Sequence, residues 1–314
     1  MGKYVLTGVD GQLGRVAAQH ALSIAGPSDK LVFASPFPDK IPAESIKEWK
    51  EKGAELAYAS YDDPLSMEKV FNGADAVTLI STWMIGNIRR KQHRRAISAA
   101  KAAGVKRICY TSYIGAGIAE NTPLVASDHR DTEQAIFESG LEWNIQRNNF
   151  YLDNYFGTLF PMVQNVCGGK WYWNSNGTPA GFVAKADCSR VAASLLLGKG
   201  EPNKIYDVTG PELISDYKFL DMVREYTGWT CELVPMTDEQ LYEYWGGRGV
   251  PKTVEGDFSK SPIPLCCDDI ITNTTEIRDG TMAVVSDSVE KLTGRKPLSA
   301  KDVMLLYKDV LPKA

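Results

Sequence analysis

The sequence is poor in the residues from which metal sites are built. Only three histidines occur among 314 residues, and the six cysteines form no C-x-x-C pair. Closely spaced histidine and cysteine residues are the usual zinc ligands, so we expect no metal site. Unpaired cysteines are typical of a reducing compartment, where they remain thiols. The absence of a G-x-S-x-G motif disfavours a serine hydrolase.

Long apolar runs and an excess of positive charge are also absent. No run approaches the roughly 18 residues of a membrane-spanning helix, and the first strand lies too close to a glycine turn for a signal peptide. We therefore expect a cytoplasmic protein without membrane contact. With 35 basic and 39 acidic residues the net charge is −4, which argues against a nucleic-acid partner. The sequence leaves oligomerisation open.

One local segment departs from this charge balance. Residues 89–95 include four arginines, one lysine and one histidine, near the start of a helix predicted over 88–103. Two interpretations of these charges stay open. They form a solvated helix face, or they contact an anionic substrate, a phosphate or a partner.

The most informative feature is the start of the chain, where a strand, a glycine turn and a helix follow one another. Residues 4–7 predict the strand, and Gly8, Gly11 and Gly14 follow at intervals of three. Gly8 permits a tight turn, Gly11 lets the backbone approach phosphates, and Gly14 lets the helix pack closely on the strand. The amides at the start of the helix then face an anion. The predicted diphosphate site consists of Gly8, Asp10, Gly11, Gln12, Leu13 and Gly14.

Strand and helix patterns alternate over the first 150 residues. Continuous apolar strands separated by helices indicate a parallel sheet covered on both faces. The sequence therefore predicts an α/β protein with a Rossmann-type doubly wound parallel sheet and a smaller C-terminal substrate lobe. We expect the dinucleotide-binding domain to cover 1–155, the lobe to take most of 156–314, and residues 181–210 to return to the sheet. The later predicted strands are 30–34, 55–59, 76–80, 106–111, 143–147 and 205–208, and the later predicted helices are 44–52, 65–71, 88–103, 129–138, 187–197, 217–226, 238–245 and 301–311.

Further motifs occur in order over the first 190 residues. They are Thr7–Gly14, Tyr61–Pro64, Leu79–Ser81, Ala99–Lys106, Tyr110–Ser112, His129, Thr132–Glu133, Arg147–Asn148, Tyr151 and Ala186–Asp187. Together they resemble the NmrA-like atypical short-chain dehydrogenase/reductases, nearest to the NADPH-dependent quinone oxidoreductases and triphenylmethane reductases. The resemblance implies a bound nicotinamide dinucleotide and hydride transfer to a conjugated or aromatic acceptor. The family that this chain resembles also includes redox-sensing regulators, so the fold alone does not imply catalytic turnover.

The residue after the second strand bears on the choice between NADP and NAD. Relatives that prefer NADPH carry an arginine there, which pairs with the 2′-phosphate, whereas this chain has Ser35. The acidic residue that NAD binding would favour is absent from this place as well. We expect Ser35 and Lys40 to hold the 2′-phosphate, with Arg15 a more distant candidate, and NADPH to be favoured over NADH.

A second departure concerns proton transfer. The Tyr-x-x-x-Lys pair of ordinary short-chain dehydrogenases is missing after the fifth strand. An isolated ketone needs a proton donor for its developing alkoxide, whereas a quinone, enone or cationic dye spreads the charge over its own conjugated system. The chain therefore suits a conjugated acceptor. The resemblance places His129 near a helix start above the substrate cavity, with a bracing role in the helix as the alternative, and the other catalytic candidates are Ser112, Tyr113 and Tyr151.

The remaining candidates follow strand ends or lie in the lobe. Cofactor contacts are expected from Asp62, Ser81, Thr82 and Asn148, and substrate contacts from Trp83, Phe150, Tyr155 and Trp173. Aromatic residues stack on flat acceptors but also form cores, and Asp62 equally suits a helix cap. The sequence thus predicts an NAD(P)H-dependent oxidoreductase for a small conjugated or aromatic substrate. Two alternatives stay open: a non-catalytic NAD(P)-sensing regulator, and a carbonyl or alcohol dehydrogenase with Tyr113 or His129 as the acid.

Overall fold

A parallel sheet of seven strands forms the centre of the protein, for which a computed structural model describes residues 2–118 and 124–314. The strands are β1 (Lys3–Leu6), β2 (Lys30–Ser35), β3 (Glu55–Tyr58), β4 (Ala76–Leu79), β5 (Arg107–Tyr113), β6 (Glu142–Asn148), β7 (Lys170–Trp173), β8 (Lys204–Val208) and β9 (Glu232–Pro235). The order across the large sheet is β3-β2-β1-β4-β5-β6-β8, while β7 and β9 form a separate parallel pair. The strand order reverses between β1 and β4, which is the switch point of a doubly wound fold.

Helices cover both faces of this sheet and also build the C-terminal lobe. They are α1 (Gln12–Ile24), α2 (Ala43–Glu51), α3 (Pro64–Phe71), α4 (Asn87–Ala102), α5 (Leu124–Glu138), α6 (Leu152–Asn154), α7 (Phe160–Asn165), α8 (Lys185–Leu196), α9 (Asp216–Thr227), α10 (Asp238–Gly246), α11 (Cys267–Arg278), α12 (Ser288–Thr293) and α13 (Ala300–Leu306). One apolar layer packs α1, α2 and α8 on the sheet, and another packs α3, α4 and α5 on the opposite face. Because both faces are covered, the strands are almost continuously apolar.

The C-terminal lobe is organised around aromatic side chains. A π-helical turn over Tyr155–Leu159 joins α6 to α7 and brings the Tyr155 ring into this core. The centroid of that ring lies 4.8 Å from the centroid of Phe182 and 4.7 Å from that of Phe219. Tilted and edge-on arrangements of this kind add to the stabilisation that apolar burial provides.

None of the helices in the described ranges combines the length and the apolar character of a membrane span.

The predicted fold class and the predicted strands are confirmed, with strand ends shifted by no more than two residues. Two helix predictions are wrong. The helix predicted to begin at His129 already includes Leu124. Ser127 and Asp128 therefore lie inside the helix, where their side chains accept bonds from the Arg90 side chain of α4. The helix predicted to run to Leu311 ends at Leu306. The sequence also gave no signal for β7, β9, α11 and α12, which all lie beyond residue 165.

The first helix packs against the turn that follows β1 so closely that Gly14 has no room for a side chain. A Cβ atom built on Gly14 would lie 2.1 Å from the carbonyl oxygen of Gly8 and 2.6 Å from its carbonyl carbon. Gly8 itself has φ +67°, the left-handed region in which glycine carries no steric penalty. The two glycines therefore set the position of α1 on the sheet, through backbone contact alone.

Replacement of Gly14 by alanine tests this contact. We expect Gly14→Ala to lower the free energy of unfolding by about 1–3 kcal/mol, because the added methyl must displace backbone atoms. Gly246→Ala is the matched control, since Gly246 lies in α10 with no atom within 4 Å of an added Cβ. That control should be neutral or slightly stabilising, because alanine favours helix over glycine. Equal thermal midpoints for the two variants would contradict the close contact.

Candidate active site

A cleft of about 560 Å³ opens at the carboxyl ends of β1 and β4. Ligands of doubly wound sheets bind at this switch point. The glycine loop forms one wall, and the segment that follows β4 forms the opposite wall. The lining residues are Thr7, Gly8, Asp10 to Gly14, Pro36, Phe37, Ala59 to Asp62, Ile80 to Met84, Ile88 and Gln92. Most of the predicted cofactor residues are among them.

The amino end of α1 carries amide groups that have no partner among the described residues. Gly11 is the N-cap, no side chain caps the helix, and no acidic residue lies in its first turn. The Gly11 N–H donates to the carbonyl oxygen of Gly8 at 3.1 Å, so the amides of Gln12 and Leu13 remain for a ligand. Free amides and the positive end of the helix dipole favour an anion. The loop therefore fits the diphosphate of a dinucleotide.

A lysine that the sequence reasoning missed lies beside this loop. Lys185, at the first position of α8, donates from Nζ to Gln12 Oε1 at 2.9 Å. The same ammonium lies 5.6 Å from the ring centroid of Tyr151. Burial lowers the pKa of Lys185, with Asp153 acting in the opposite direction. Its position directly before the Ala186–Asp187 motif was the signal that could have identified it.

Ser35 and Lys40, which were expected to hold the 2′-phosphate together, lie in different environments. Ser35 is fully buried, and its hydroxyl donates to Asp10 Oδ1 at 2.8 Å and accepts from the Phe37 N–H at 2.8 Å. It thereby ties β2 to the glycine loop. Lys40 is exposed, with Nζ 4.0 Å from the centroid of the Phe37 ring that lines the cleft. Of these two side chains only that of Lys40 is charged, and its ammonium lies over the Phe37 ring of the cleft wall.

Asp62 connects the loop after β3 to α4. Its carboxylate accepts bonds from Gln92 Nε2 at 2.8 Å and Arg95 Nη1 at 3.1 Å, and the residue also lines the cleft. The alternative in which Asp62 caps a helix is wrong. Asp63 is the N-cap of α3 and accepts from the Ser66 N–H.

The segment after β4 is fixed by bonds to its neighbours. The Ser81 N–H donates to Thr111 Oγ1 at 2.8 Å, and the Thr82 N–H donates to His93 Nε2 at 3.1 Å. These bonds direct the backbone of the segment along the cleft. Trp83 follows with 79% of its surface exposed at the cleft wall. The indole is therefore available to a ligand.

Two buried histidines form a continuous hydrogen-bond chain behind the strand ends. Because His93 Nε2 accepts a bond, its Nδ1 carries the proton and donates to Thr132 Oγ1 at 2.9 Å, while Thr132 donates to the carbonyl oxygen of Asp128. The Tyr110 hydroxyl and His129 Nδ1 are hydrogen-bonded at 2.7 Å. Burial, and after it the Arg89 charge, holds the pKa of His129 well below its usual range.

Tyr113 and Ser112 are bonded to two different glutamates. The Tyr113 hydroxyl donates to Glu276 Oε2 at 2.5 Å, and this bond joins β5 to α11 of the lobe. Ser112 donates to Glu133 Oε1 at 2.5 Å, and Glu133 also receives two bonds from Arg147 at 2.6 and 3.0 Å. The Ser112 hydroxyl is therefore part of a buried ion-pair network. Burial raises the pKa of Glu276 to about 7, while the bond from Tyr113 acts to lower it.

The predicted residues at the end of β6 form a second connected group. Asn148 Nδ2 donates to the Tyr151 hydroxyl at 3.1 Å, and its Oδ1 accepts from Gln146 Nε2 at 2.8 Å. The Phe150 ring lies 5.4 Å from the Tyr113 ring, measured between centroids. The centroids of Tyr113 and His129 are 6.0 Å apart. The structure thus brings the histidine, both tyrosines and Phe150 to one edge of the sheet.

Tyr155 and Trp173 lie away from this edge. Both line a small enclosed cavity of about 50 Å³ inside the lobe, beside the buried Asp216. Their rings belong to the aromatic core of the lobe. They are not among the residues that line the nucleotide cleft.

The basic segment of α4 is more than a solvated face. Arg94 and Arg95 pair with Asp131 and Asp62 near the surface, as a solvated face requires. Arg89 is only 6% exposed. The interpretation of all these charges as solvated is therefore wrong for Arg89, because the first turn of α4 lies against α5.

Comparisons with known proteins agree with this geometry. The model of the NAD(P)H-binding family matches residues 8–165. The chain is 29% identical to quinone oxidoreductase 2 of Escherichia coli over 206 residues, which cover 65% of this chain and 68% of the relative. It is 22% identical to the NmrA-like family domain-containing oxidoreductase flvB of Aspergillus flavus over 314 residues, covering 96% and 94% of the two chains.

The fold is shared with a solved structure. The Citrobacter triphenylmethane reductase complexed with NADP(H) superposes with a TM-score of 0.78 at 23% identity, over 96% of this chain and 99% of that one. The family match covers the glycine loop from Gly8 and the strands β2 to β6. The chain belongs to the NAD(P)H-binding family, as an NmrA-like atypical short-chain dehydrogenase/reductase.

Proposed function

We propose that this protein is an oxidoreductase that uses NADPH to reduce a small, flat, conjugated molecule such as a quinone, an enone or a dye. The observation that carries the proposal is the switch-point cleft, in which uncapped helix amides face a wall formed by the segment after β4. The relatives named as a quinone oxidoreductase and a triphenylmethane reductase support this substrate class. Bound nicotinamide would supply the hydride.

The residues that hold the cofactor follow from their charges and donors. The amides of Gln12 and Leu13 receive the diphosphate, and Lys185 adds a positive charge beside the same loop. Lys40, above the Phe37 ring, is the cation that receives the 2′-phosphate and favours NADPH over NADH. We also place the protein in the cytoplasm, which the six free cysteine thiols support.

The acceptor side is rich in aromatic residues. Trp83 is exposed at the cleft wall, and the Phe150 and Tyr113 rings lie at the ends of β6 and β5. Because its pKa is held well below its usual range, His129 is a neutral imidazole at this edge. These features suit a ring system that takes up hydride and spreads the arriving charge over its own atoms.

The Tyr113–Glu276 pair favours one second candidate, the reduction of an isolated carbonyl. Glu276 has a pKa of about 7, so close to neutral pH it exchanges a proton readily. The Tyr113 hydroxyl donates to Glu276 in the structure. Once Glu276 is protonated this bond reverses, and the Tyr113 proton becomes available on the side of the aromatic residues. Such a relay could protonate an alkoxide.

Turnover of a substrate panel tests the proposed function. We expect NADPH absorbance to fall when menadione or a cyclic enone is added and to stay constant with an unconjugated ketone, because the conjugated acceptors delocalise the added charge. Oxidation by the ketone alone would favour the second candidate. Tight NADPH binding without oxidation by any member of the panel would contradict the enzyme and favour a sensor.

Removal of the Lys185 charge tests the cofactor site. Lys185→Met should raise the dissociation constant for NADP⁺ about tenfold, which corresponds to about 1.4 kcal/mol, because one charge–charge contact with a phosphate is lost. Lys199→Met is the control, since this exposed lysine lies just past the other end of α8. Calorimetric titration that finds equal constants for both variants would place the diphosphate elsewhere.

The raised pKa of Glu276 predicts a dependence of stability on pH. The folded chain keeps a proton on Glu276 up to a pKa of about 7, whereas the unfolded chain releases it near 4.5. The contribution of this bound proton to the free energy of unfolding is therefore complete below pH 4.5 and is lost as the pH rises through 7. Glu276→Gln stays neutral, so its thermal midpoint should fall less than that of the wild type between pH 5.5 and 8.

Glu243→Gln supplies the control for this measurement, since Glu243 is exposed on α10. Its midpoint should follow the wild type across the same pH range. A Glu276→Gln variant that also follows the wild type would show that Glu276 titrates as an ordinary carboxyl.

A further inference from the structure

Arg89 is a buried cation with two side-chain nitrogens that make no hydrogen bond to the described residues. Its side chain is 8% exposed. Nε and Nη1 are both inaccessible to water and make no hydrogen bond to any described residue. The nearest carboxylate oxygen, Asp128 Oδ2, lies 3.9 Å from Nη1, which is too far for a hydrogen bond. A buried guanidinium normally makes several charge-assisted bonds, so this arrangement requires an explanation.

The neighbouring carboxylate is already engaged by other donors. Asp128 Oδ1 accepts from Arg90 Nε at 2.6 Å, and Oδ2 accepts from the Gly86 N–H at 2.5 Å. Asp128 therefore balances the charge of Arg90. Arg89 remains as an extra positive charge in a site shielded from water. A charge in this situation is stable when an anion of opposite charge joins it.

The position of Arg89 in the fold indicates where that anion binds. Arg89 lies one turn before His93 on the same face of α4, and the His93 ring packs 5.4 Å from the ring of Tyr110 in β5. Because α4 begins at the carboxyl edge of the sheet, its first turn stands beyond the strand ends. Arg89 thus faces the edge at which the cofactor and the acceptor are proposed to meet.

The electrostatic influence of Arg89 reaches groups on three other elements around that edge. After burial, its charge is the next cause that lowers the pKa of His129 on α5. Burial raises the pKa values of Tyr151, which follows β6, and Asp269 on α11, and the Arg89 charge opposes both rises. The guanidinium therefore lies close enough to His129, Tyr151 and Asp269 for its charge to affect them.

We propose that Arg89 binds an anionic oxygen group, a carboxylate or phosphate, that the conjugated acceptor of this protein carries as a substituent. The proposal rests on the proposed function and narrows its substrate class to anionic flat molecules. The guanidinium adds a permanent charge to its unused Nε and Nη1 donors, and an anionic oxygen group accepts bonds from such donors. Arg89 then acts in substrate specificity and takes no part in bond making.

Binding of two matched probes tests the proposal without turnover. The protein is first saturated with NADP⁺ and then titrated calorimetrically with anthraquinone-2-carboxylate or with the uncharged anthraquinone-2-carboxamide. We expect the wild type to bind the carboxylate about tenfold more tightly than the carboxamide. Arg89→Met should bind both probes equally, and Arg89→Lys should keep part of the preference, because it keeps the charge but loses the planar fork.

The control removes a neighbouring charge of the same sign. Lys91→Met, on the exposed side of α4, should keep the wild-type preference. The thermal midpoint of Arg89→Met should not fall, since Asp128 keeps its bonds from Arg90 and Gly86. A lowered midpoint together with an unchanged probe preference would show that Arg89 is structural and overturn the proposal.

Two further outcomes separate this inference from the proposed function. If the wild type binds NADP⁺ but does not distinguish the probes, the role of Arg89 is refuted and the oxidoreductase proposal stands. If the wild type fails to bind NADP⁺, the proposed function fails, and with it the inference that depends on it. Arg89→Met must retain the NADP⁺ affinity of the wild type for the comparison to support the proposal.

Discussion

The contact between the backbone of Gly8 and that of Gly14 is the constraint on which the rest of the site depends. Since an added Cβ on Gly14 would overlap the Gly8 carbonyl, α1 can approach β1 this closely only with glycine at that position. The approach puts the uncapped amides of α1 directly over the switch point of the sheet. Two side-chain bonds then hold the glycine loop to its neighbours. Ser35 bonds the loop to β2, and Lys185 bonds it to α8.

Beyond the glycine loop, the carboxyl edge is held by buried polar chains. His93 joins the segment after β4 to α5, Tyr110 joins β5 to His129, and Tyr113 joins β5 to the lobe through Glu276. In a low-dielectric interior such bonds fix side chains strongly, because an unpaired polar group there is costly. Arg89 carries a full charge, and its buried Nε and Nη1 make no bond to any described residue, which is why we assign it to a ligand.

The sequence predicted the sheet, the nucleotide loop and the family, because these depend on local patterns. Three glycines at fixed spacing and alternating apolar segments determine short-range geometry that any chain of this kind must adopt. The partners of Ser35, Glu276 and Arg89 were not predictable, since each is set by side chains from distant segments that only the tertiary fold brings together. The prediction that Ser35 holds a phosphate did not include its hydrogen bond to Asp10. Glu276 lies in no motif that the sequence shows. Tyr155 and Trp173 were chosen for aromatic character, which a lobe core uses as readily as a binding site.

The central claim is that the amides at the start of α1 bind the diphosphate of a nicotinamide dinucleotide and so bring its ring to the carboxyl edge. A crystal structure of the protein grown with NADP⁺ tests this claim most directly. The account predicts diphosphate density within hydrogen-bond distance of the Gln12 and Leu13 amides, with the nicotinamide ring beside Ser81 and Thr82. A dinucleotide bound anywhere else, or bound in this cleft with its diphosphate away from α1, would contradict it.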